Sequence, residues 1–371
     1  MRIVYLLTTL GMGGAERQVL ALAQRMAARG HTVQLLVLRP RLAEEWPTGL
    51  DVHSLNMRKR PLSLIAGLLR GRRLLKRFQP DLIHSHTFPG NMVARLLKLF
   101  SPRAVLISTI HNVYEGGWAR MLAYRLSDPL SRLTTAVSTA AAQRYIRLRA
   151  VPRSKCRVIV NGIDLTEFAP DAKQRIAMRA AMGAGENFIW LTAGRITEAK
   201  DYPNLLRAFA IASRSFASAQ LWIAGEGAEA EFTTMRHLAE ELKLGEPVRW
   251  LGLRRDLPAL LDAADGFVLG SAWEGMPLAV GEAMAMAKPI AATDVGGVRE
   301  LIGDTGSVVP AKNPELLAAA MLALMKSTTE VRQSIGEAAR ERVATHFSIE
   351  AKANEWETLY ESLLTTTPSA N

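Results

Sequence analysis

The chain has 371 residues, of which 49% are apolar and 22% charged, and its formal net charge is +11. That length exceeds what one hydrophobic core usually fills, so we expect two domains of ordinary size. No apolar run approaches the roughly 18 residues that a membrane-spanning helix needs, and we expect no transmembrane segment. The single cysteine, Cys156, excludes an internal disulfide and gives no metal-ligand cluster, so we interpret it as a small buried residue.

The first apolar run, Ile3–Leu10, is too short for the core of a signal peptide and leads directly into a glycine loop. We therefore interpret it as the first strand and expect the protein to stay in the cytoplasm. The loop Gly11–Arg17 precedes a helix with an apolar stripe, predicted over Ala15–Arg29. The amides of Gly13 and Gly14 at the helix N-terminus could face a phosphate or a developing negative charge, although a plain turn is the alternative.

Apolar runs alternate with helical patterns along the chain, as in βαβ units with a mostly parallel sheet. The strands predicted in the first half are Ile3–Leu7, Val33–Leu38, Leu82–His84, Val105–Thr109, Thr135–Val137 and Val158–Val160. Those predicted in the second half are Ile189–Ala193, Leu221–Ala224, Val248–Leu251, Gly266–Leu269 and Pro289–Ala292. Each half is therefore predicted to be a doubly wound α/β unit.

Positive charge is concentrated in the first half. Residues 1–160 hold 26 Lys and Arg against 7 Asp and Glu, a net charge of +19, whereas the remainder holds 20 against 28, a net charge of −8. The densest stretch, Arg58–Phe78, mixes basic residues with leucines, which is typical of an amphipathic helix on an anionic membrane. The alternative is a helix that packs its leucines on the domain. Nucleic acid is disfavoured because no aromatic residues cluster among the basic ones.

Histidines lie at the ends of two predicted strands of the first half. His84 and His86 alternate on one strand and point the same way, but no nearby Cys or paired carboxylate completes a metal shell. His111 directly follows the strand Val105–Thr109 and opens a polar, glycine-bearing loop that continues with Asn112. Its position makes His111 the best candidate for a functional histidine.

The dipeptide Asn161-Gly162 is a turn signal at the junction of the halves, and we interpret it as the hinge between domains. The last helix is predicted over Ile349–Leu364, with Ser348 as its N-cap. Four side chains of this helix recur at helical spacing and are expected to be buried: Trp356, Leu359, Tyr360 and Leu363. The tail Thr365–Asn371 is expected to be disordered.

An anion site is predicted where the strand Ile189–Ala193 ends. Gly194 and Arg195 follow this strand, and Lys200 comes five residues after the arginine. A forked guanidinium and a flexible ammonium at one sheet edge suit a diphosphate. The next strand ends in Gly225–Gly227, whose glycines allow backbone to approach a ligand closely.

Two glutamates flank the most informative segment of the chain. Glu274 follows the strand Gly266–Leu269, so it lies at the edge where parallel sheets bind ligands. The run Gly275–Pro277 turns the chain into a helix, and Pro277 favours its first turn. Glu282 lies within the first two turns of that helix. Two carboxylates at two heights suit two sets of hydroxyl groups, such as those of a sugar and a ribose.

Gly194-Arg195 with Lys200, the two glutamates at this spacing and the run Asn161–Asp164 resemble the retaining glycosyltransferases of family 4. The resemblance covers nearly the whole chain. It implies the GT-B architecture, in which two Rossmann-like domains face each other across a cleft, and a nucleotide-sugar donor. The implied domains are residues 1–160, which bind the acceptor, and 161–347, which bind the donor, while the helix 348–365 packs back on the first domain.

The resemblance also implies residue roles. Arg195 and Lys200 are expected to bind the donor diphosphate, Glu274 the transferred sugar and Glu282 the ribose. The full expected donor-binding set is Gly13, Gly14, Gly194, Arg195, Lys200, Gly225, Leu253, Arg254, Glu274, Gly275, Met276, Pro277, Leu278 and Glu282. The expected catalytic set is Arg195, Lys200, Glu274 and His111, and the expected acceptor-side set is His86, His111 and Asn112. A purely structural role is the alternative for each histidine.

By resemblance, we expect retention of configuration without a metal or other cofactor, with the leaving diphosphate helping to remove the acceptor proton. The chain has no Asp-x-Asp motif, and Arg195 with Lys200 would replace the cation. A UDP-sugar is favoured as the donor. The loop Gly252–Asp256 is expected to hold the base, and the loop Asp294–Glu300 to form another lip of the pocket.

The expected acceptor is a glycan or a lipid-linked sugar, in cell-surface polysaccharide or glycolipid synthesis, with peripheral contact to the inner face of the membrane. Three alternatives stay open. One is another GT-B enzyme, such as a sugar-nucleotide epimerase or a phosphorylase. The others are a basic nucleic-acid-binding protein and a membrane-bound scaffold without transferase activity.

Overall fold

The computed structural model describes residues 1–11, 13–39 and 49–365. The chain forms two compact units, and it passes between them twice. Unit 1 consists of Met1–Gly162 and Ile349–Asn371, and unit 2 consists of Ile163–Ser348. Both units are α/β, with parallel pairing between each two neighbouring strands.

In the described residues, the sheet of unit 1 has seven strands in the order β3-β2-β1-β4-β5-β6-β7. They are β1 (Arg2–Leu7), β2 (Thr32–Val37), β3 (Asp51–Ser54), β4 (Leu82–His86), β5 (Val105–Ile110), β6 (Leu133–Ala136) and β7 (Cys156–Val158). The helices are α1 (Gly14–Ala28), α2 (Pro61–Phe78), α3 (Thr87–Lys98), α4 (Trp118–Ser127), α5 (Thr139–Arg147) and α14 (Ile349–Thr365). Connections leave β1 in one direction and β4 in the other, so the topological switch point lies between these strands.

In the described residues, the sheet of unit 2 has six strands in the order β10-β9-β8-β11-β12-β13. They are β8 (Phe188–Ala193), β9 (Ala219–Ala224), β10 (Val248–Gly252), β11 (Gly266–Leu269), β12 (Ile290–Thr293) and β13 (Ser307–Val309). The helices are α6 (Ala172–Ala181), α7 (Tyr202–Ser215), α8 (Glu229–Glu241), α9 (Leu257–Ala263), α10 (Leu278–Ala285), α11 (Val298–Ile302), α12 (Pro314–Lys326) and α13 (Thr329–His346). The switch point of this sheet lies between β8 and β11.

The central strands are apolar along their whole length because both faces of each sheet are covered. In β1, Ile3 and Tyr5 face a core shared with α1 and α14, whereas Val4 and Leu6 face a core shared with α2 and α3. All four side chains are fully buried. An uninterrupted apolar run, rather than an alternating one, is therefore what a strand in this position requires.

The predicted strands are present, with corrections at their ends. The strand before the junction is β7, which ends at Val158 instead of beginning there. Two short edge strands, β3 and β13, were not predicted, and their side chains are mostly half-exposed. Thr365, which we expected in a disordered tail, is the last residue of α14, and residues 366–371 lie outside the described ranges.

The basic stretch forms α2, which packs on the domain through Leu75 and Phe78, with Leu68 and Leu74 partly buried against the same core. Its buried positions include Gly67 and Gly71, which lie against Met57 and Leu97 so closely that a Cβ at either glycine would clash. In contrast, Leu62 is 82% exposed. Three further apolar side chains of the helix are also exposed: Leu64, Ile65 and Leu69. The alternative in which leucines pack on the domain is therefore confirmed for part of the helix, whereas these four apolar side chains are exposed. Of the described helices, none is long and apolar enough to span a membrane.

The C-terminal helix α14 is part of the core of unit 1. Trp356, Leu359, Tyr360 and Leu363 are buried in the cluster formed by α1 and the sheet. At the edge of this cluster, the Glu357 carboxylate accepts hydrogen bonds from Arg29 and His31, each at 2.7 Å. Helix α14 therefore completes unit 1 although it follows unit 2 in sequence.

We expect Trp356→Ala to lower the free energy of unfolding by about 3–5 kcal/mol, because the indole is 4% exposed and its removal leaves a cavity beside α1. Urea unfolding monitored by circular dichroism measures the change. Glu361→Ala, on the exposed face of the same helix, is the matched control and should change stability by less than about 0.5 kcal/mol. Equal stabilities for the two variants would contradict the packing described for α14.

Candidate active site

Unit 2 carries a cluster of polar residues at its switch point. The loops after β8 and β11 diverge there, because the connections from these neighbouring strands run in opposite directions along the sheet. Crevices of this kind are where open parallel sheets bind ligands. The loop after β8 carries Arg195 and Lys200, and the loop after β11 carries Glu274. The sheet therefore brings together residues that are about 80 positions apart in the sequence.

Lys200 and Glu274 form an ion pair. The Lys200 ammonium donates to Glu274 Oε1 at 2.6 Å, and the Ser271 hydroxyl donates to the same oxygen at 2.7 Å. Glu274 is 8% exposed, whereas the Lys200 side chain is 22% exposed. An ammonium has three N–H donors, so Lys200 keeps donors for a ligand while it holds the carboxylate in place.

Arg195 differs from Lys200 in its environment. Its side chain is exposed, and its guanidinium has no hydrogen-bond or ion-pair partner among the described residues. A forked cation of this kind is ready to bind an anion such as a phosphate without breaking an existing contact. The Lys200 side chain packs against Gly194, where an added Cβ would lie 3.0 Å from the Lys200 Cε.

The loop after β12 fixes the backbone at Glu274. The Gly297 amide donates to the Gly275 carbonyl at 2.7 Å. Gly296 has φ +57° and lies so close that a Cβ would be 2.2 Å from the Glu274 carbonyl oxygen. Only glycine fits this position without moving the backbone. The Thr293 hydroxyl also donates to the Ser271 carbonyl at 2.7 Å. The second lip that we predicted from the sequence therefore contacts the Glu274 loop directly.

The glycines after β9 pack closely against the loop that carries Arg195. A Cβ on Gly225 would lie 1.9 Å from the Gly194 carbonyl oxygen. The Ile196 amide donates to the Glu226 carbonyl at 2.8 Å, and a Cβ on Gly227 would meet Ile196. In the structure these glycines admit the neighbouring loop, and the approach of a ligand to them stays a prediction. Their effect is to hold the segment that carries Arg195.

Glu282 lies on α10, where the sequence placed it. It is 3% exposed, on a helix whose other buried residues are apolar or glycine. Pro277 is the N-cap and not part of the first turn, since α10 begins at Leu278. Met276 and Leu278 are also buried, at 7% and 9% exposure. The short segment around the helix start is therefore well packed.

The loop after β10 adjoins the same edge. The Gly225 amide donates to the Gly252 carbonyl at 2.8 Å, which connects this loop to the one after β9. Arg254 forms two hydrogen bonds with Asp256, at 2.8 and 2.5 Å, which raise the pKa of the arginine and lower that of the aspartate. Leu253 is 42% exposed beside this pair. Arg254 is thus held by its own loop.

Unit 1 has a second polar cluster at its own switch point, between β1 and β4. Thr8, after β1, and Thr87, after β4, are hydrogen-bonded through their hydroxyls at 2.9 Å. Gly13 is the N-cap of α1, and Gly14 is its first residue. The Thr9 hydroxyl donates to the Glu16 carboxylate at 2.7 Å, so a carboxylate of the first turn folds back onto the loop. Met12 of this loop lies outside the described residues.

His86 and His111 form a pair in this cluster. His86 Nδ1 lies 3.0 Å from His111 Nε2, and His86 is 3% exposed. The other ring nitrogen of His86 has no hydrogen-bond partner among the described residues. In contrast, His84 uses both nitrogens in the core, with Tyr360 at 2.7 Å and Thr109 at 2.6 Å. Among the described residues, no three His, Cys, Asp or Glu side chains are grouped to hold a metal ion.

Burial keeps these imidazoles neutral. It lowers the pKa of His111 from 6.5 to about 4 and the pKa values of His84 and His86 well below their usual range. Neutral imidazoles at neutral pH can donate or accept a hydrogen bond but do not supply a positive charge. The sequence identified His86 and His111 as candidates but could not predict that they contact each other.

Glu115 contacts the same cluster, and no pattern in the sequence predicted this. Its carboxylate accepts from the His111 amide at 3.1 Å and from the Tyr124 hydroxyl at 2.8 Å. Burial raises its pKa to about 7. Asn112 also stabilises the loop, since its side chain accepts from the Tyr114 amide at 3.2 Å. The only signal in the sequence was an acidic residue inside a glycine-bearing loop, which is usually solvent-exposed.

Two family models match the chain. That of group 1 glycosyl transferases matches residues 175–342, and that of glycosyltransferase family 4 matches residues 12–167. The first match lies in unit 2 and the second mostly in unit 1. The chain therefore belongs to the family 4 glycosyltransferases and has the GT-B fold.

Individual relatives agree with this assignment. N-acetyl-alpha-D-glucosaminyl L-malate synthase of Bacillus anthracis is 25% identical over 367 residues, 95% of each chain. UDP-Gal:alpha-D-GlcNAc-diphosphoundecaprenol alpha-1,3-galactosyltransferase of Escherichia coli is 26% identical over 241 residues, 61% of this chain and 60% of the other. The structure of Anabaena HepE with UDP-glucose has a TM-score of 0.86 and 20% identity, over 97% of this chain and 99% of that one. These similarities favour a glycosyltransferase over the alternatives that the sequence left open.

The ion pair of unit 2 can be tested through stability. We expect Lys200→Met to cost about 3 kcal/mol, because it leaves the Glu274 carboxylate buried without its cation. Adding Glu274→Gln should restore part of that loss. The matched control is Lys352→Met, whose partner Glu355 is 44% exposed, and it should cost less than about 1 kcal/mol. Urea unfolding of the wild type, Lys200→Met, Glu274→Gln and the double variant gives the coupling energy, and a value near zero would contradict a structural ion pair.

Unit 1 should respond to pH in a direction set by burial. The pKa of His111 is depressed on folding, so its contribution to stability is present above pH 6.5 and lost as the pH falls towards 4. Glu115 has the opposite sign. Its pKa is raised from 4.5 to about 7, so its contribution is present below pH 4.5 and lost as the pH rises through 7.

We therefore expect His111→Gln to reduce the rise of stability with pH by up to about 1.4 kcal/mol per pH unit in the acid range. Glu115→Gln should remove a fall in stability towards neutral pH. Urea unfolding at a series of pH values measures both slopes. His237→Gln is the control, because this side chain is 68% exposed on α8. Identical pH profiles for His111→Gln and the wild type would contradict the burial of the imidazole.

Proposed function

We propose that this glycosyltransferase moves a hexose or N-acetylhexosamine from a UDP-sugar to a glycan or lipid-linked acceptor. The observation that carries the proposal is the exposed Arg195 guanidinium, without a hydrogen-bond or ion-pair partner among the described residues, on the same loop as Lys200, which pairs with Glu274 at the switch point of unit 2. Cations for a diphosphate and a fixed carboxylate for sugar hydroxyls are what a nucleotide-sugar site requires. UDP is preferred because the structurally similar HepE was solved with UDP-glucose.

In this proposal, Arg195 and the free N–H groups of Lys200 bind the diphosphate. Glu274 accepts hydrogen bonds from hydroxyls of the transferred sugar, and Glu282 from the ribose. The backbone of Gly194 and the segment Gly275–Leu278 line the site. Gly225 holds the Arg195 loop, and Leu253 with Arg254 belongs to the loop that contacts the base. The fixed backbone around Glu274 supports such recognition, because a preorganised carboxylate needs no rearrangement when the donor binds.

We further propose transfer with retention of configuration and without a metal. The bond between the anomeric carbon and the diphosphate oxygen breaks, a bond from the same carbon to the acceptor oxygen forms on the same face, and the acceptor proton passes to the leaving diphosphate. Arg195 and Lys200 stabilise the charge that develops on that group. In unit 1, neutral His111 hydrogen-bonds a sugar hydroxyl, with His86 and Asn112 on the acceptor side.

The setting that we propose is the cytoplasmic face of the cell membrane, in polysaccharide or glycolipid synthesis. The exposed apolar residues of α2 support this proposal, because they occur beside arginines and lysines on one helix. Such a helix can insert apolar side chains among anionic lipids while its basic residues bind the headgroups. The relative from Escherichia coli is named for an acceptor on diphosphoundecaprenol, a lipid carrier.

The experiment is a donor screen with mass detection of the product, joined to titration with UDP and GDP. We expect UDP to bind more tightly than GDP, and the product to be heavier than the acceptor by one sugar residue. A chelator should not lower the rate of transfer. Arg195→Ala should lower turnover by about 100-fold or more, since one preorganised charge contact is worth roughly 2–4 kcal/mol. The control is Arg214→Ala, an exposed arginine in the last turn of α7. Equal rates for the two variants would exclude Arg195 from the site.

A further inference from the structure

A pocket of about 320 Å³ lies on unit 1, outside the polar cluster at the switch point. It is formed where the loop after β5 meets α4 and α5. Its lining includes the side chains of Tyr114, Trp118, Leu122, Arg125, Arg144 and Leu148. Its volume is within the range of small-molecule sites. The same loop begins with His111, so the pocket adjoins the acceptor-side residues along the chain.

One wall of the pocket is an apolar helix face that no described residue covers. Trp118, Leu122 and Leu126 lie at intervals of four on α4, so they share one face. They are 78%, 42% and 73% exposed, whereas Met121 and Tyr124 on the other face are buried. Exposed apolar residues on a protein surface are usually scattered singly. Three in a row beside a pocket are instead typical of a binding surface.

The charge in the pocket is positive. Arg125 and Arg144 are its charged lining residues, and neither has a hydrogen bond or an ion pair with a described residue. The Arg144 guanidinium lies 5.6 Å from the centre of the Tyr114 ring. The nearest acid in the loop, Glu115, is turned inward to Tyr124 and the His111 amide. The pocket therefore offers unneutralised cations next to an apolar wall.

We propose that this pocket binds the diphosphate and the first isoprene units of a lipid-linked acceptor. The role in transfer rests on the function proposed above, but the binding itself does not. A soluble anionic glycan would satisfy the arginines and stack on the rings, yet it would leave the leucines in water. A neutral lipid would cover the leucines but not the arginines. A polyprenyl diphosphate satisfies both, since its phosphates and its apolar chain are directly joined.

The test uses farnesyl diphosphate as a soluble probe, with saturating UDP present to occupy the nucleotide site. We expect the wild-type protein to bind it at least about tenfold more tightly than farnesol or inorganic pyrophosphate, because only the joined molecule contacts both the cations and the apolar wall. Trp118→Ala and Arg144→Gln should each weaken binding by about tenfold. Isothermal titration calorimetry measures the affinities.

The matched controls lie in unit 2. Ile176→Ala removes an apolar side chain that is 72% exposed, and Arg214→Gln removes an exposed guanidinium. Both should bind the probe as the wild type does, and the pocket variants should keep the wild-type affinity for UDP. If the wild type failed to bind UDP, only the proposed function would be contradicted. The pocket proposal is judged by probe binding to the variants, which does not require UDP binding.

Three results would overturn the pocket proposal. The first is equal probe binding by the pocket variants and the controls. The second is probe binding that UDP abolishes, since the probe would then occupy the nucleotide site. The third is loss of binding to phosphatidylglycerol vesicles in Trp118→Ala without loss of probe binding, which would make this surface a membrane contact instead of a site for the lipid carrier.

Discussion

The close backbone packing of neighbouring loops is the constraint on which the site of unit 2 depends. Gly225 lies against the carbonyl of Gly194, and Gly296 lies against the carbonyl of Glu274, at distances that admit no side chain. The loops after β8 and β9 are consequently fixed to each other, as are those after β11 and β12, and the Ala272 amide links the two pairs by donating to the Ala199 carbonyl at 2.9 Å. The short Lys200–Glu274 contact follows from this packing, because each partner projects from a loop whose backbone cannot move independently. Preorganisation of this kind lowers the ordering cost of binding an anion.

The two units have the same central strand order but different electrostatics at their switch points. In unit 2, a carboxylate is neutralised by one cation while a second cation is exposed, which suits a ligand that carries both phosphates and hydroxyls. In unit 1, the switch point holds neutral imidazoles, and the unpaired arginines lie on the outer surface of α4 and α5. The imidazoles of His86 and His111 are neutral, so they can hydrogen-bond hydroxyl groups but do not attract anions by charge.

The sequence predicted the fold class and the central strands because these depend on local apolar runs that burial on both faces requires. The edge strands β3 and β13 were missed because half-exposed strands lack that signal. The predicted donor residues of unit 2 lie on neighbouring loops, but their mutual contacts depend on tertiary packing. For the same reason, the sequence could not assign the glycines after β9 to loop packing or place Glu115 beside His111. The sequence left open whether the leucines of α2 are exposed or packed, since periodicity cannot tell which face of a helix is covered when glycines can pack as well.

A largely buried polar network holds the loop that begins with His111. Glu115 fixes the His111 amide, and Tyr124 joins Glu115 to Asn91, whose amide also donates to the Thr109 carbonyl. On the other side, the C-terminal helix contributes the hydroxyl of Tyr360 to His84, next to His86 on β4. Because most of these groups are buried, breaking one bond would leave a polar atom without a partner, which costs more than the bond itself contributes. The loop is therefore held by several hydrogen bonds at once, and α14 takes part through Tyr360 although it follows unit 2 in the chain.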